Sequence, residues 1–529
     1  MSLKGVTILG GGLSGLSSAF HLTRRFPSVP LLLIERSSRL GGWVRSERVM
    51  VQDSRGTQAR ILIEAGPRTL RPNGKSVLEL INLMNLDGLL ITVPKYAPAA
   101  RNRFLHVPGE LLLTPLPNSL SSVITSPLNT LLLRAVLGEV LRVNHSRHSV
   151  AMKEVEEHGD MSVDSFLSLH FGPQFARILG SALVHGIYAS DSRIVSMRAA
   201  FPSIFNLAGE RGTNSIMIGV VKELLGFGKT QSSPAARQPY ELGDIEERMR
   251  NTSVYSFTDG LETLTRAMEN HLTKMDNVTI VKGEGVTGVC KDKAGNFVVT
   301  TPRQQYTSSH IVSSLPPRVL HGILSQSQNS AGSIGDAPPS LPHLTSAPSS
   351  SVTVVNVIFP PLDGWSIHPD GFGYLVPRRE DAPLANYGEN FENVPLEDRL
   401  LGVVFDSSAL GEQDIYPDAE NKTGRFTKLT LMFRGTAARA ITSEDVIALL
   451  SNHLRPPRPL PQPVYLRTHL HTNCIPIPGV GHLGGVQALR EALKGEYWDN
   501  RFAVIGAGVG GVSVPDCIEQ GRNVGETWE

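Results

Sequence analysis

Two glycine-rich segments lie near opposite ends of the sequence. The first, Gly10–Gly15, follows the apolar run Gly5–Leu9 and precedes Leu16–Leu22, whose apolar residues recur at helical spacing. It fits the pattern G-x-G-x-x-G, and Glu35 ends the next apolar run 20 residues after Gly15. In this arrangement the backbone N–H groups of the turn approach a pyrophosphate, and the acidic residue accepts hydrogen bonds from ribose hydroxyls. The spacing therefore predicts a dinucleotide site in a βαβ unit.

The residues after Glu35 discriminate between dinucleotides. The segment Arg36-Ser-Ser-Arg39-Leu-Gly41-Gly42-Trp43-Val-Arg45 resembles the R-x-G-G-x-x-x-S/T signature of flavoprotein oxidases, in which the chain turns back over the diphosphate. NAD enzymes have no such element, so the resemblance implies FAD. We predict FAD contacts from Gly10, Gly11, Gly12, Leu13, Ser14, Gly15, Glu35, Arg36, Arg39, Gly42 and Trp43.

The second glycine-rich segment, Gly506–Gly511, raises the question of a second nucleotide site. Only 18 residues follow Gly511, which is too few for another strand with its own acidic residue. We expect Asn500–Ile505 to be a strand of the first sheet, and a helix from Pro515 to direct its N-terminus at the flavin ring. Val512, Ser513 and Val514 would then contact FAD, so both ends of the chain would form one site.

Two internal segments resemble other parts of these flavoproteins. His310–Pro317 resembles the strand that returns the chain to the FAD domain. Val281–Val286 resembles the strand whose backbone contacts the adenine side of the cofactor, which makes Val286 a further candidate contact.

The composition excludes several classes of protein. The chain has 529 residues, 40% of them hydrophobic, which predicts two or three globular domains. With 50 basic against 49 acidic residues there is no electrostatic argument for a nucleic-acid partner. Three scattered cysteines are too few for a disulfide framework and fit a reducing or redox-neutral compartment. We expect no membrane-spanning helix, because no uninterrupted apolar run reaches the roughly 18 residues that one needs. We also expect no cleavable presequence, since the first strand starts at Gly5.

The order of elements predicts an α/β fold, in which a Rossmann-like FAD-binding domain is assembled from N-terminal, middle and C-terminal segments. The strand patterns Val352–Ile358, Gly373–Val376, Leu401–Phe405 and Lys428–Phe433 predict an antiparallel substrate-binding sheet. The predicted limits are FAD domain 1–93, helical domain 94–210, polar insertion 211–259, FAD domain 260–324, disordered Ser/Pro-rich loop 325–351, substrate sheet 352–470 and closing FAD segment 471–529.

Several motifs together resemble one family. They are Leu40–Ser46, Gly66–Pro72, Asn102–Leu105, His469–Pro476 and Asp516–Arg522. They are similar to motifs of the eukaryotic oxygen-dependent protoporphyrinogen oxidases, in the flavin-containing amine oxidase superfamily, over nearly the whole chain. The resemblance implies FAD-dependent, six-electron oxidation of protoporphyrinogen IX by O2 to protoporphyrin IX, with H2O2 as co-product. It also implies a homodimer, peripheral attachment to the mitochondrial inner membrane and docking to ferrochelatase.

The same resemblance assigns site residues. Arg103 would pair with a substrate propionate, Phe372 would pack on a pyrrole ring and Met432 would line the opposite wall. Gly66, Pro67, Arg68 and Thr69 would lie beside FAD, although Arg68 alone could equally form a structural ion pair. No catalytic acid or base is assigned, because the flavin carries the difficult step.

The segment Ser119–Val143 predicts an amphipathic helix with two possible roles. Leu128, Leu131, Leu132, Ala135, Val136 and Val140 alternate with Arg134, Glu139 and Arg142. The commoner role for such a helix, and the one we favour from the sequence, is to bury its apolar stripe within its own domain. The alternative is that the helix lies on a membrane surface, as the resemblance implies.

Other chemistries have weaker support. His469 and His471 alternate on a strand near Cys474 but lack a fourth ligand, so no metal site is predicted. Ser14 and Cys517 have no adjacent base in the sequence and are not predicted as nucleophiles. An amine oxidase of the same fold is one alternative, but Gly508–Val514 lacks the aromatic residues that such enzymes bring to the flavin. The other alternative is a non-catalytic flavin-fold escort protein.

Overall fold

The computed structural model describes residues 3–118, 122, 126–141, 149–216, 238–329, 336–346, 348–384, 391, 394–418, 424–436 and 439–528. The strands are β1 (Val6–Leu9), β2 (Leu31–Glu35), β3 (Ser46–Gln52), β4 (Gln58–Glu64), β5 (Leu90–Pro94), β6 (Phe104–Leu105), β7 (Thr114–Pro115), β8 (Thr252–Phe257), β9 (Val278–Lys282), β10 (Gly288–Lys291), β11 (Phe297–Thr300), β12 (Gln305–Ser308), β13 (His310–Ser313), β14 (Ser349–Phe359), β15 (Gly373–Leu375), β16 (Leu400–Val404), β17 (Thr427–Arg434), β18 (Tyr465–Pro476) and β19 (Phe502–Val504).

Helices connect and cover these strands. They span Leu13–Arg25, Lys75–Leu83, Pro98–Arg101, Asn129–Val140, Ser149–His158, Val163–Phe171, Pro173–Phe175, Ser181–Tyr188, Met197–Ala200, Pro202–Leu207, Ile245–Arg248, Glu262–Leu272, Pro317–Asn329, Leu396–Arg399, Asp406–Leu410, Ser443–Leu454, His482–Leu493, Ala507–Gly510 and Val514–Asn523. Shorter 3-10 turns occupy Asp87–Leu89 and Gly411–Gln413, and a π-helical turn occupies Ala176–Gly180.

A parallel five-stranded sheet holds the first glycine-rich segment. Its strand order is β19-β13-β1-β2-β9, and every neighbouring pair is parallel. The side chains of β1 alternate between two cores: Ile8 packs with the helices Leu13–Arg25 and Glu262–Leu272, and Leu9 packs with Pro317–Asn329 and His482–Leu493. Burial on both faces explains why these strands are continuous apolar runs in the sequence.

The C-terminal segment completes this sheet, as predicted. Strand β19 pairs with β13, and β13 pairs with β1. The last helix begins at Val514, one residue before the predicted start, and packs against the first helix, where the Ser17 hydroxyl donates to the Ile518 carbonyl at 2.8 Å. The second glycine-rich segment therefore belongs to the first nucleotide fold. It forms the short helix Ala507–Gly510 between β19 and the last helix.

A second, largely antiparallel sheet has the order β18-β14-β17-β16-β15-β6-β7. The four predicted strands correspond to β14, β15, β16 and β17. One face packs on the helix Ser443–Leu454. The pairing of β15 with β6 is parallel, and it brings a segment from early in the chain into this sheet.

Two predicted domain limits were wrong. Strand β18 pairs with β14 along its length, so the substrate sheet extends to Pro476 and does not end at residue 470. Strands β6 and β7 lie inside the predicted helical domain 94–210 but belong to the same sheet. Both errors have one cause, since pairing between strands distant in sequence leaves no local signal.

Parts of the two predicted insertions are ordered and packed. Ile245 and Met249 belong to the core beneath the first sheet, although they lie in the predicted polar insertion 211–259. The helix Pro317–Asn329 and strand β14 enter the predicted loop 325–351 from both sides, and Leu341 and Leu344 are buried. The remaining parts, 217–237, 330–335 and 347, lie outside the described residues.

Candidate functional site

The glycine-rich turn after β1 has the geometry that a pyrophosphate requires. Gly12 is the N-cap of the helix Leu13–Arg25 and has no side chain to cap the free N–H groups. A Cβ atom at Gly12 would meet nothing within 4 Å, so the space in front of the helix is open. A Cβ atom at Gly15 would lie 2.0 Å from the Gly10 carbonyl oxygen. Gly15 therefore allows the helix and β1 to approach, while Gly12 leaves room for a ligand at the positive end of the helix.

Glu35 lies at the carboxyl end of β2, next to this turn. Its carboxylate accepts hydrogen bonds from the N–H groups of Gly11 at 2.8 Å and of Ser37 at 2.7 Å. These two bonds fix the carboxylate beside the glycine turn, and its remaining lone pairs can accept from ribose hydroxyls.

The segment after Glu35 folds back over the glycine turn. The Gly41 N–H donates to the Gly11 carbonyl at 2.8 Å, and a Cβ atom at Gly42 would lie 3.2 Å from the Gly12 Cα. The Arg39 guanidinium donates to the carbonyls of Leu40, Val44 and Gly42. Arg39 therefore holds this loop in shape, and direct contact with the cofactor stays a prediction for it.

Other predicted contacts border the same opening. Trp43 is half exposed and packs edge-to-face on His471 with ring centroids 5.3 Å apart. Arg36 is exposed. A Cβ atom at Gly66 would lie 2.4 Å from the Trp43 carbonyl oxygen. This close approach places Gly66–Thr69 against the folded-back loop, as expected for a segment beside FAD.

Val286 lies beyond the strand in which it was predicted, because β9 ends at Lys282. The chain nevertheless stays beside β2: the N–H groups of Gly283 and Glu284 donate to the carbonyls of Ser37 and Glu35. The segment thus borders the ribose side of the turn, and contact between Val286 and the adenine stays a prediction.

The N-terminus of the last helix also lies at the glycine turn, but some of its backbone N–H groups are already hydrogen-bonded. Ser513 and Asp516 form a capping box: the Asp516 N–H donates to the Ser513 hydroxyl, and the Ser513 N–H donates to the Asp516 carboxylate. Pro515 has no N–H. The N–H groups of Ser513 and Asp516 are therefore used within the box, whereas those of Val512 and Val514 are not. Contact of Val512, Ser513 and Val514 with FAD stays a prediction.

Ser14 and Cys517 meet where the two helices pack. The Ser14 hydroxyl hydrogen-bonds to the Cys517 thiol, and burial raises the pKa of that thiol to about 11. A thiol with this pKa is protonated at neutral pH, which makes it a poor nucleophile.

Arg68 forms the buried ion pair that the sequence left as its alternative role. Its Nη1 lies 3.0 Å from Oδ1 of Asp406, and both side chains are less than 10% exposed. Asp406 also accepts from the Thr430 hydroxyl at 2.5 Å, and Asn356 donates to that hydroxyl and to the Glu64 carbonyl. This buried network joins the FAD-side strand β4 to the substrate sheet.

The partners of Arg68 in this network were not predicted from the sequence. Asp406 is the first residue of the helix Asp406–Leu410 and Thr430 lies within β17, and their partners lie far away in the chain. Glu64 belongs to the same region, and burial raises its pKa to about 7. The only available signal was the acidic residue directly after the strand pattern Leu401–Phe405.

Two of the three predicted substrate residues lie together. The Arg103 guanidinium carbon lies 5.7 Å from the centroid of the Phe372 ring, which is a cation–π distance. Burial, and secondarily the charge of Arg71, lower the pKa of Arg103, but a guanidinium stays protonated at any physiological pH. In the part of the chain that the structure describes, no carboxylate forms an ion pair with Arg103. This leaves its charge available for an anionic ligand.

Met432 lies apart from this pair. It packs with Val352, Val354 and Leu401, whereas Phe372 packs against a cluster that contains Val93 and Leu410. The structure therefore brings Arg103 and Phe372 together, and the opposite-wall position of Met432 stays a prediction.

The two histidines of β18 lie on one face, as expected. Their rings are parallel with centroids 6.2 Å apart. His471 Nε2 donates its hydrogen to the Ala65 carbonyl at 2.7 Å. This nitrogen therefore has no free lone pair with which to bind a metal.

Comparison with known proteins agrees with this architecture. The family described as flavin containing amine oxidoreductase matches residues 13–526. The chain belongs to this family. Protoporphyrinogen oxidase of Homo sapiens is 31% identical over 98% of this chain and 96% of its own length, and that of Schizosaccharomyces pombe is 29% identical over 98% and 97%. A crystal structure of an Exiguobacterium sp. 255-15 protein superposes with a TM-score of 0.68 at 19% identity, covering 100% and 99% of the two chains.

The protein is therefore an FAD-dependent oxidoreductase. The open space before Gly12, the uncapped helix N-terminus and the fixed Glu35 carboxylate fit the diphosphate and ribose of FAD. The loop Arg39–Trp43 and the segments Gly66–Thr69 and Val512–Val514 border the same space and would hold the rest of the cofactor.

Substitutions at Gly12 and Gly15 should separate cofactor binding from folding. Gly12→Ala places a methyl group in open space. We therefore expect the deflavinated variant to melt close to the deflavinated wild type, and the variant as purified to have a strongly reduced flavin-to-protein absorbance ratio. Gly15→Ala drives a methyl group into the Gly10 carbonyl and should cost roughly 1–3 kcal/mol of stability. Thermal melting of deflavinated protein checks both, and equal melting temperatures for the two variants would contradict this division of roles.

Proposed function

We propose that this protein oxidises protoporphyrinogen IX to protoporphyrin IX, with O2 as electron acceptor and H2O2 as co-product. The observation that carries the proposal is the full-length similarity to protoporphyrinogen oxidases of Homo sapiens and Schizosaccharomyces pombe. The Arg103–Phe372 pair adds chemical support, since a porphyrinogen presents both carboxylates and pyrrole rings.

The roles of the chain follow from its geometry. FAD, when bound, supplies a two-electron acceptor that O2 reoxidises. The substrate loses six electrons and six protons over three cycles, so three O2 become three H2O2. Arg103 would hold a propionate with its guanidinium fork. Phe372, whose ring already contacts Arg103, would present an apolar surface to the macrocycle and exclude water. No side chain is assigned as an acid or base.

The proposal is tested by mixing the purified yellow protein with protoporphyrinogen IX in air and following porphyrin fluorescence together with H2O2. We expect both to rise in a 1:3 ratio, faster than autoxidation and only with FAD bound. The family also includes amine oxidases, so putrescine and benzylamine serve as controls. Peroxide from an amine without porphyrin formation would overturn the proposal and favour the amine oxidase alternative. A colourless protein inactive on both substrate classes would favour the escort alternative.

Arg103→Ala should weaken substrate binding and leave the cofactor in place. Losing a charge-assisted hydrogen bond to a carboxylate costs about 1.5–3 kcal/mol, so we expect KM for protoporphyrinogen IX to rise roughly 10- to 100-fold. The flavin spectrum should not change. Arg101→Ala is the matched control, because Arg101 is exposed at the end of the preceding helix. The same KM in the Arg103→Ala and Arg101→Ala variants would remove Arg103 from the site.

We further propose that the protein associates peripherally with a membrane through the helix Asn129–Val140. Its buried residues are Leu131, Ala135 and Glu139, so the predicted polar position Glu139 faces inward. The outward face carries Leu133, Leu137 and Val140, each at least 50% exposed. Leu128, Leu131 and Ala135 of the predicted stripe are buried, as the sequence favoured, whereas Val136 and Val140 are exposed. An exposed apolar face of this kind supports contact with lipid.

Three further leucines are exposed in the region predicted as the helical domain 94–210. Leu111 and Leu112 are 65% and 67% exposed, and Leu141 continues the apolar face beyond the helix. Within the described residues, no helix has the length and apolar character to cross a bilayer. Attachment to the mitochondrial inner membrane, a homodimer and docking to ferrochelatase remain proposals that the resemblance alone supports.

Charges on this face should abolish membrane binding. Leu133→Asp combined with Leu137→Asp places two carboxylates where lipid contact is proposed, so we expect most of the protein to move from the pellet to the supernatant when sedimented with cardiolipin-containing vesicles. The control is Met50→Asp, since Met50 is also 65% exposed but lies on β3. Unchanged sedimentation of the double variant would refute this membrane face.

A further inference from the structure

Three side chains that could hold a metal ion meet at the edge of the second sheet. His106 follows β6, Glu397 lies in the short helix Leu396–Arg399, and His453 lies in the helix Ser443–Leu454. One ligand atom from each residue lies within 4.8 Å of the other two. These elements are far apart in sequence, so only folding brings the three side chains together.

The two histidines have unmet hydrogen-bonding capacity. His106 is 6% exposed and His453 is 1% exposed. Nδ1 of His106 and Nε2 of His453 are buried without a hydrogen-bond partner. Leaving a buried polar nitrogen unpaired costs about 1–3 kcal/mol. Two such nitrogens beside a carboxylate are difficult to explain as packing alone, and a bound cation would satisfy both.

Burial and one hydrogen bond favour imidazoles with a lone pair free to bind a metal. Both rings are buried, and burial disfavours the charged form of an imidazole. Nδ1 of His453 lies 3.0 Å from the Tyr374 hydroxyl. When Nδ1–H donates to this hydroxyl, the lone pair of Nε2 is left free, which is the arrangement that orients histidine ligands in metal sites.

Glu397 connects this buried pair to solvent. Its carboxylate lies 3.5 Å from His453 Nε2 and is 59% exposed. The Asn452 amide donates to the same carboxylate at 3.1 Å and holds it beside His453. An ion could therefore enter from the exposed side and keep a water molecule as a further ligand.

We propose that His106, His453 and Glu397 form a binding site for a divalent transition metal of the zinc class. Two imidazoles and one carboxylate are a donor set that Zn²⁺ accepts with a fourth position open to water. Tetrahedral zinc holds its ligand atoms about 3.4 Å apart. The two imidazole rings are stacked, with centroids 3.6 Å apart and an interplanar angle of 19°. Metal entry therefore requires rotation of both rings and inward movement of the exposed Glu397 side chain.

The site would also act on the candidate substrate region. His106 is three residues after Arg103, with β6 between them, and its backbone N–H donates to the Leu375 carbonyl at 3.0 Å. Tyr374 and Leu375 belong to β15, which begins one residue after Phe372. A metal bound to His106 would therefore restrict the movement of β6 and β15, the short strands that directly follow Arg103 and Phe372. Binding itself does not depend on the proposed function.

Titration of Zn²⁺ into chelator-treated holoenzyme tests the site by calorimetry. We expect one equivalent to bind saturably, and the zinc-edge X-ray absorption spectrum to show two imidazole ligands. Bound zinc should also raise the melting temperature. Absence of saturable binding, or a spectrum without imidazole ligands, would overturn the proposal.

Variants assign the binding to these residues. Glu397→Gln keeps the size and exposure of the side chain and should weaken zinc binding at least about 10-fold, and His106→Asn should do the same or more. Glu444→Gln is the matched control, because Glu444 lies in the first turn of the helix that carries His453 and should leave binding unchanged. If Glu397→Gln and His106→Asn bind zinc as tightly as the wild type, the metal lies elsewhere and the assignment is wrong.

Discussion

The nucleotide fold depends on the contact between the first and last helices of the chain. A Cβ atom at Gly521 would lie 2.6 Å from the Ser17 Cβ and from the Ser18 backbone nitrogen, so no larger residue allows the two helices to approach this closely. The last helix is also fixed by the buried pair of Arg522 with Glu79, at 2.5 Å. Because β1 lies between β13 and β2, and β19 borders β13, the glycine turn reaches its final surroundings only after the last residues of the chain have docked.

A second constraint joins the cofactor side to the substrate side. The Arg68–Asp406 pair is buried, and removing either partner would leave an uncompensated charge in the interior. Through Thr430 and Asn356 the same network reaches the backbone of Glu64 at the end of β4. The β3–β4 hairpin and the second sheet are therefore held together by directional polar contacts, which specify one relative position, whereas apolar contacts alone tolerate sliding.

What the sequence could predict follows from how local each signal is. Gly10–Gly15, Glu35 and the strand patterns are determined within about 30 residues, and their structures agree with prediction. The C-terminal strand was also placed correctly, because too few residues follow Gly511 for an independent nucleotide fold. The position of Glu139 was predicted wrongly because the signal that decides it is not local. A charged residue in an amphipathic pattern indicates the solvent face, and its partner His170 lies 31 residues away. The Arg68 network and the membership of β6 in the second sheet could not be predicted for the same reason, since both depend on partners that are distant in the sequence.

Glu139 also explains why the helix Asn129–Val140 presents leucines outward. Burial pushes the pKa of Glu139 upward, but hydrogen bonds from His170, Ser215 and Ile216 outweigh it and lower the pKa. The carboxylate therefore stays ionised and fully bonded inside the protein, which fixes the rotation of the helix about its axis. With that rotation fixed, residues three to four positions along the helix point in the same direction, and Leu133, Leu137 and Val140 face outward together. A helix that needed only to be soluble would bury these leucines and expose the glutamate. This one bears the cost of a buried charge and an exposed apolar face at the same time, and contact of that face with lipid would offset the second cost.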